Sequence, residues 1–249
     1  MQRTLTCSTR DMLLSAHMVI EHELTRSEYR WLAVGAAVIA VAGFARTYYL
    51  RFIFHTPILP PVVQIHGAIM TLWWIGFIVQ TWLIEARRVR LHQRLGIFMA
   101  ALAAIVVLLG ETLTLNGVAR EGRLHQIGKF HYLLGINSVN LLLFAVLVGL
   151  GIAFRRKPDL HKRLMVLAAA TLLAPAVARI VLLFTHKPLP QFLAFYACLL
   201  LCVTVDTLRH RRLHPVFAIG APVVIAAFQL SYLAVQTSAW MKMVTAHFG

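Results

Sequence analysis

Four histidines carry the chemistry that this sequence suggests. His92 stands in Leu91-His92-Gln93-Arg94-Leu95 and His161 in Leu160-His161-Lys162-Arg163-Leu164, two nearly identical stretches, each with Arg upstream and an Ala-rich apolar run downstream. His66 and His131 each stand near the start of the apolar segment that precedes one copy. The separation is 26 residues from His66 to His92 and 30 from His131 to His161, as two copies of one helical hairpin would give. A neutral imidazole ligates iron, copper or zinc, and two facing histidines make a bis-His haem site of the kind used for electron transfer. A helix N-terminus disfavours an imidazolium through its macrodipole and so keeps the ring ready to ligate. The same residues also have a plainer use, because His and Arg at a membrane interface snorkel to phosphates and set topology.

The elements that must position these residues are membrane spans. Apolar residues make up 59% of the 249-residue chain and charged residues 13%, with a mean hydropathy of +0.74. A hydrocarbon core of about 30 Å takes roughly 20 apolar residues per helix. Seven segments qualify: 31–53, 62–85, 95–118, 130–154, 162–185, 189–208 and 214–238. The expected fold is all-α, a polytopic bundle of seven transmembrane helices with a duplicated two-helix hairpin formed by spans 2–3 and 4–5. Residues 1–30 are expected as a cytoplasmic N-terminal segment and 31–249 as a single transmembrane domain. The leader carries His17, Glu21, His22, Glu23 and Glu28 where a cleavable signal would have an apolar core. It reads as a short amphipathic helix or as an extension upstream of a start at Met18.

Orientation follows from Lys and Arg beside each span, since cytoplasmic loops retain positive charge. The leader holds Arg3, Arg10, Arg26 and Arg30, and the loop after the second span holds Arg87, Arg88, Arg90 and Arg94. Arg155, Arg156, Lys157, Lys162 and Arg163 flank the next such loop, and Arg209, Arg211 and Arg212 follow the sixth span. The expected placement is the bacterial inner membrane with the N-terminus cytoplasmic and the C-terminus outside. The formal charge of +15 is then a topology signal, and a nucleic-acid partner is not expected.

In this orientation His66 and His131 form an outer pair and His92 and His161 an inner pair. A helix rises about 30 Å over 20 residues, so the pairs lie near opposite membrane faces. Intramembrane charges need partners. Glu111 lies 19 residues after His92 and Arg179 lies 18 after His161, so the two share a depth and are expected to pair, facing the bundle. Arg179 could also bind a haem propionate and Glu111 relay a proton to a quinone. Pro175 would kink its helix and free a carbonyl. Asn137, Ser138 and Asn140 are expected to hydrogen-bond across helices, with a ligand contact as the alternative. Asp206 reads as an interfacial partner of Arg209-His210-Arg211-Arg212. Cys198 and Cys202, one turn apart, read as packing residues or as ligands for a soft metal. Trp73 and Trp74 read as core, or as stacking against a cofactor.

Several classes fall away. A retinal protein needs a Lys in the middle of its last span, where this chain has none. No P-loop, HExxH or GxSxG motif supports an ATPase or hydrolase. A cofactor-free small-molecule transporter stays open, since repeats, Pro kinks and intramembrane charges are habits of transporters too.

The run from His66-Gly67 to Leu91-His92-Gln93-Arg94-Leu95-Gly96 resembles a group of uncharacterised bacterial multi-pass membrane proteins with a His near one span's start and an HxxLG motif at the next. One His on each of four consecutive spans is also similar, more distantly, to the two-haem ascorbate-reducible cytochrome b family. In that family the first and third of those spans ligate one haem and the second and fourth the other. The resemblance covers about residues 62–185 and implies haem b held by His66 with His131 and by His92 with His161. The expected activity is electron transfer, with quinone or respiratory complex subunits as candidate partners. A single outer haem, or another metal, is a variant. Span-starting histidines are shared as well with small membrane factors that assist terminal oxidase assembly, which implies an assembly or haem-handling role as an alternative. The expected main site is His66 and His131 near Glu111 and Arg179. The doubled stretch first fixes the starts of its spans and only second serves as a ligand motif.

Overall fold

The computed structural model describes residues 28–123 and 129–248. The described residues are helical with turns between, and no strand occurs among them. In chain order the helices are α1 (Glu28–Tyr49), α2 (Pro61–Glu85), α3 (Val89–Arg123), α4 (Lys129–Ala153), α5 (Pro158–Thr171), α6 (Ala174–Val181), α7 (Pro188–His210), α8 (Pro215–Ala234) and α9 (Ser238–Phe248). Helices α5 and α6 together make one span, Pro158–Val181, and seven helices are long and apolar enough to cross a membrane. The chain is an integral membrane protein by that criterion. Most of the expected leader, residues 1–27, lies outside the described residues.

The local causes of these helices are legible. Pro61, Pro158, Pro188 and Pro215 each open a helix, where a missing N–H costs nothing and φ is already set. His214 caps α8, its Nδ1 accepting from Val216 N at 3.2 Å. Short turns at 86–88 and 154–157 make α2–α3 and α4–α5 antiparallel neighbours. Arg87 takes the left-handed conformation (φ 57°) in the first of those turns, and Arg211 does so (φ 51°) after α7. The two antiparallel pairs are not alike: α3 runs unbroken for 35 residues, whereas the span after α4 breaks at Leu172–Leu173. Pro175 has no N–H to give the Thr171 carbonyl, and the chain closes a tighter turn, Leu173 N to Ala170 O at 3.0 Å.

The broken helix is the centre of the bundle. Of its most apolar window 61% is buried, against 39% for α4 and less for the others. It packs on α4, α7 and α8, with Leu167, Ala168 and Thr171 wholly enclosed. Helix α1 lies against α6, where Gly43 lets the backbones meet: a Cβ there would stand 2.4 Å from the Ala176 carbonyl oxygen. Trp73 and Trp74 are core residues. Trp73 stacks on Phe77 at 5.3 Å and meets Phe144 edge-on at 5.4 Å. Past the expected seven segments, the short helix α9 packs on α3, and Val118, Leu134 and Val244 form a small cluster of their own.

Candidate functional site

The Arg-rich end gathers the starts of α1, α3, α5 and α8 with the ends of α2, α4 and α7. There the doubled stretch brings His92 of α3 and His161 of α5 together edge-on, ring centres 6.1 Å apart and planes at 86°. The α4–α5 contact sets one ring: His161 Nδ1 lies 2.7 Å from the carbonyl oxygen of Gly151. Donation to that carbonyl places the proton on Nδ1 and leaves Nε2 as the free ligating nitrogen, the arrangement that orients metal-bound histidines. Gly151 faces α5 closely, since a Cβ there would meet Met165 Sδ at 2.8 Å. His92 Nδ1 is buried without a hydrogen-bond partner, and so is Oε1 of Gln80 on α2. The amide of Gln80 lies close to Gly96, one turn after His92. Orphaned polar atoms of this kind are costly unless something fills the site.

Beside this pair lies a buried ionic cluster. Arg163, two residues after His161, is 1% exposed, and so is Asp206 of α7. Arg163 Nε donates to both carboxylate oxygens of Asp206, at 2.8 and 3.0 Å. Its Nη1 reaches the Asp159 carbonyl at 3.1 Å and carboxylate at 3.3 Å. The Tyr29 hydroxyl of α1 donates to Asp206 Oδ1. His210 Nδ1 lies 2.9 Å from the Asp206 carbonyl, and Glu28 completes the group with His210 Nε2 at 3.9 Å and Arg209 Nε at 3.7 Å. Lys162 pairs with Asp159 at 3.1 Å, and Arg30 with Glu85 at 2.9 Å. Just outside α8, burial and then the Arg163 guanidinium hold the His214 imidazole below its ordinary range.

Asp206 meets His210 of the run that follows it, Nδ1 to Oδ1 at 3.4 Å, but it is buried instead of interfacial. Its main bond is to Arg163 on another helix, because its position on α7 points inward while Arg209 and Arg211 turn outward. The doubled stretch also splits at this residue: Arg163 is buried, whereas Arg94, its equivalent, is exposed. Of the residues that sequence reasoning passed over, Tyr29, Gln80 and Gly151 left no signal in the chain. Asp206, the sole acid within the sixth span, was named by sequence but given the wrong main partner, although an intramembrane carboxylate implies a cationic partner on a neighbouring helix.

The opposite end is arranged differently. His66 of α2 packs towards Gly110 of α3, its Cε1 3.6 Å from where a Cβ would stand, and its Nδ1 is buried without a hydrogen-bond partner. His131 receives Trp240 Nε1 on its backbone carbonyl at 3.3 Å. The expected Glu111–Arg179 ion pair is not made. Ser138 of α4 donates to Glu111 Oε1 at 2.7 Å. Arg179 is exposed, bonds the Pro175 carbonyl of its own helix at 3.0 Å, and lies over the Phe44 ring at 4.3 Å. The reason is azimuth: α3 packs on α2, α4 and α9, whereas α6 packs on α7. Asn140 is buried with Oδ1 unpartnered, and Asn137 is half-buried nearby. A groove of 430 Å³ runs between α1 and α2, and none of the four histidines lines it. Its one polar feature is the Tyr49–Thr71 hydroxyl pair at 2.7 Å.

Comparison of the chain with models of known protein families, with curated proteins and with solved structures finds no match in any of the three.

Proposed function

We propose that this protein is a membrane-embedded electron carrier whose His92 and His161 ligate a b-type haem or another redox metal. The spacing of the two imidazoles carries the reading. With ring centres 6.1 Å apart, His92 and His161 would be able to hold one ion between them at metal–nitrogen distances of about 2.0–2.1 Å. His161 supplies Nε2, its tautomer held by the Gly151 carbonyl. His92 supplies the nitrogen that otherwise has no partner. A bound haem or metal would contribute one-electron transfer there, with Arg88, Arg90 and Arg94 near enough in sequence to meet anionic groups at that end. The main site thus moves from the outer to the inner pair, and His66 with His131 becomes the secondary candidate. Quinone is the proposed partner, the apolar α1–α2 groove being suited to an isoprenoid tail. We place the Arg-rich end on the cytoplasmic side of a bacterial inner membrane, on the bias of Lys and Arg beside the spans.

The break at Leu172–Leu173 favours a second reading, a small-molecule transporter, because interrupted helices near the midplane form transport sites. One measurement separates the two. A visible spectrum of the detergent-purified protein, oxidised and then dithionite-reduced, is expected to show a Soret band or a stoichiometric redox metal that His92→Ala and His161→Ala each abolish. A folded protein without either signal, or a spectrum that survives both substitutions, rejects the electron-carrier reading.

A further inference from the structure

We propose a second metal site, for a borderline divalent ion such as Zn2+, that clasps the first turn of α1 to the last turn of α7 through Glu28, Asp206 and His210. One ligand atom from each residue lies within 4.8 Å of the other two. Atoms at the corners of such a triangle stand at most about 2.8 Å from its centre, so contraction by at most about 0.8 Å reaches ordinary zinc–ligand distances of roughly 2.0–2.2 Å. The residue that points to a ligand is Glu28. Its side chain is 8% exposed, and both carboxylate oxygens are buried with no hydrogen-bond partner. A buried carboxylate left in that state is costly, and a cation relieves the cost.

His210 is already set for coordination. Its Nδ1 lies 2.9 Å from the Asp206 carbonyl and donates to it, which leaves Nε2 turned towards Glu28 at 3.9 Å. That gap is too long for a hydrogen bond and suits two ligands of one ion. Asp206 accepts Arg163 on both oxygens and Tyr29 on Oδ1, which leaves a lone pair on Oδ2 for the cation. Arg209, 35% exposed and 3.7 Å from Glu28, is free to turn out to lipid phosphates when the ion takes its place. One imidazole with two carboxylates excludes the all-oxygen preference of Ca2+ and Mg2+ and the thiolate preference of Cu(I). The donor set is separate from His92 and His161, so the two sites stand or fall independently.

The test is metal binding by the full-length protein in detergent, stripped with a chelator and titrated with Zn2+ alone. Wild type and His92→Ala are expected to share one binding event that Glu28→Gln weakens at least tenfold, with loss of the Zn2+-dependent rise in Tm. Equal binding by Glu28→Gln and wild type overturns the site. Should Glu28→Gln fail to fold, Co2+-loaded His92→Ala examined by X-ray absorption decides the matter. A shell of one imidazole with oxygen donors is the expected result, and a shell without imidazole, or no bound Co2+, overturns it.

Discussion

The two ends of the bundle handle polar residues in opposite ways. At the Arg-rich end, side chains from four helices converge: Arg163 bridges Asp159 and Asp206, Tyr29 joins from α1, and His92 meets His161. At the other end polar groups bond singly or not at all instead of forming a cluster. Arg179 bonds its own helix and covers Phe44, Glu111 takes a serine hydroxyl, and His66 and Asn140 keep unpartnered atoms. The contrast shows that a shared depth does not make a pair. Glu111 and Arg179 are level along the membrane normal by sequence, yet they sit on helices that face different neighbours. Arg163 and Asp206 lie on helices that touch, and each is buried against the other.

The comparison can be broken most easily at the ion pair. Asp206→Ala leaves the buried Arg163 with only the exposed carboxylate of Asp159 beside it, so a loss of about 3–5 kcal/mol in stability is expected, read as a large drop in thermal midpoint in detergent. Replacing both partners, with Arg163→Met and Asp206→Leu together, is expected to restore most of it; a single-mutant loss under about 1 kcal/mol would mean the convergence is not structural. A smaller effect is expected at the α1–α6 contact. Gly43→Val meets the Ala176 backbone and should cost about 1–3 kcal/mol, with Gly35→Ala, which has open space, as the neutral control. The smallest effect is a coupling. In a double-mutant cycle, Glu111→Gln and Arg179→Gln should be additive within about 0.5 kcal/mol, and a larger coupling would restore the cross-bundle pair that the geometry does not show.

Much of the fold was legible in the chain. The expected segment 62–85 is observed as Pro61–Glu85, 130–154 as Lys129–Ala153 and 189–208 as Pro188–His210, because apolar length and helix-opening prolines are local properties. The break near Pro175 was readable for the same reason: the missing N–H acts within its own helix. The third segment shows the limit of that logic. Expected as 95–118, it runs as Val89–Arg123, since a helix can continue past the apolar stretch into the interface. The candidate site was half legible. Repetition singled out His92 and His161, but it gave Arg94 and Arg163 the same standing, and only one of them is buried.

The sequence by itself determined how many helices are long and apolar enough to cross, where most of them begin and end, and how far along its helix each polar residue stands. These follow from composition, from proline and from the fixed rise of a helix. Only the tertiary structure decided which polar residues meet. The spans are apolar nearly all round, so no polar stripe records the face that each turns to its neighbour. Partner choice rests instead on close approaches such as Gly43 on Ala176 and Gly151 on Met165, which fix how the helices are rotated against one another.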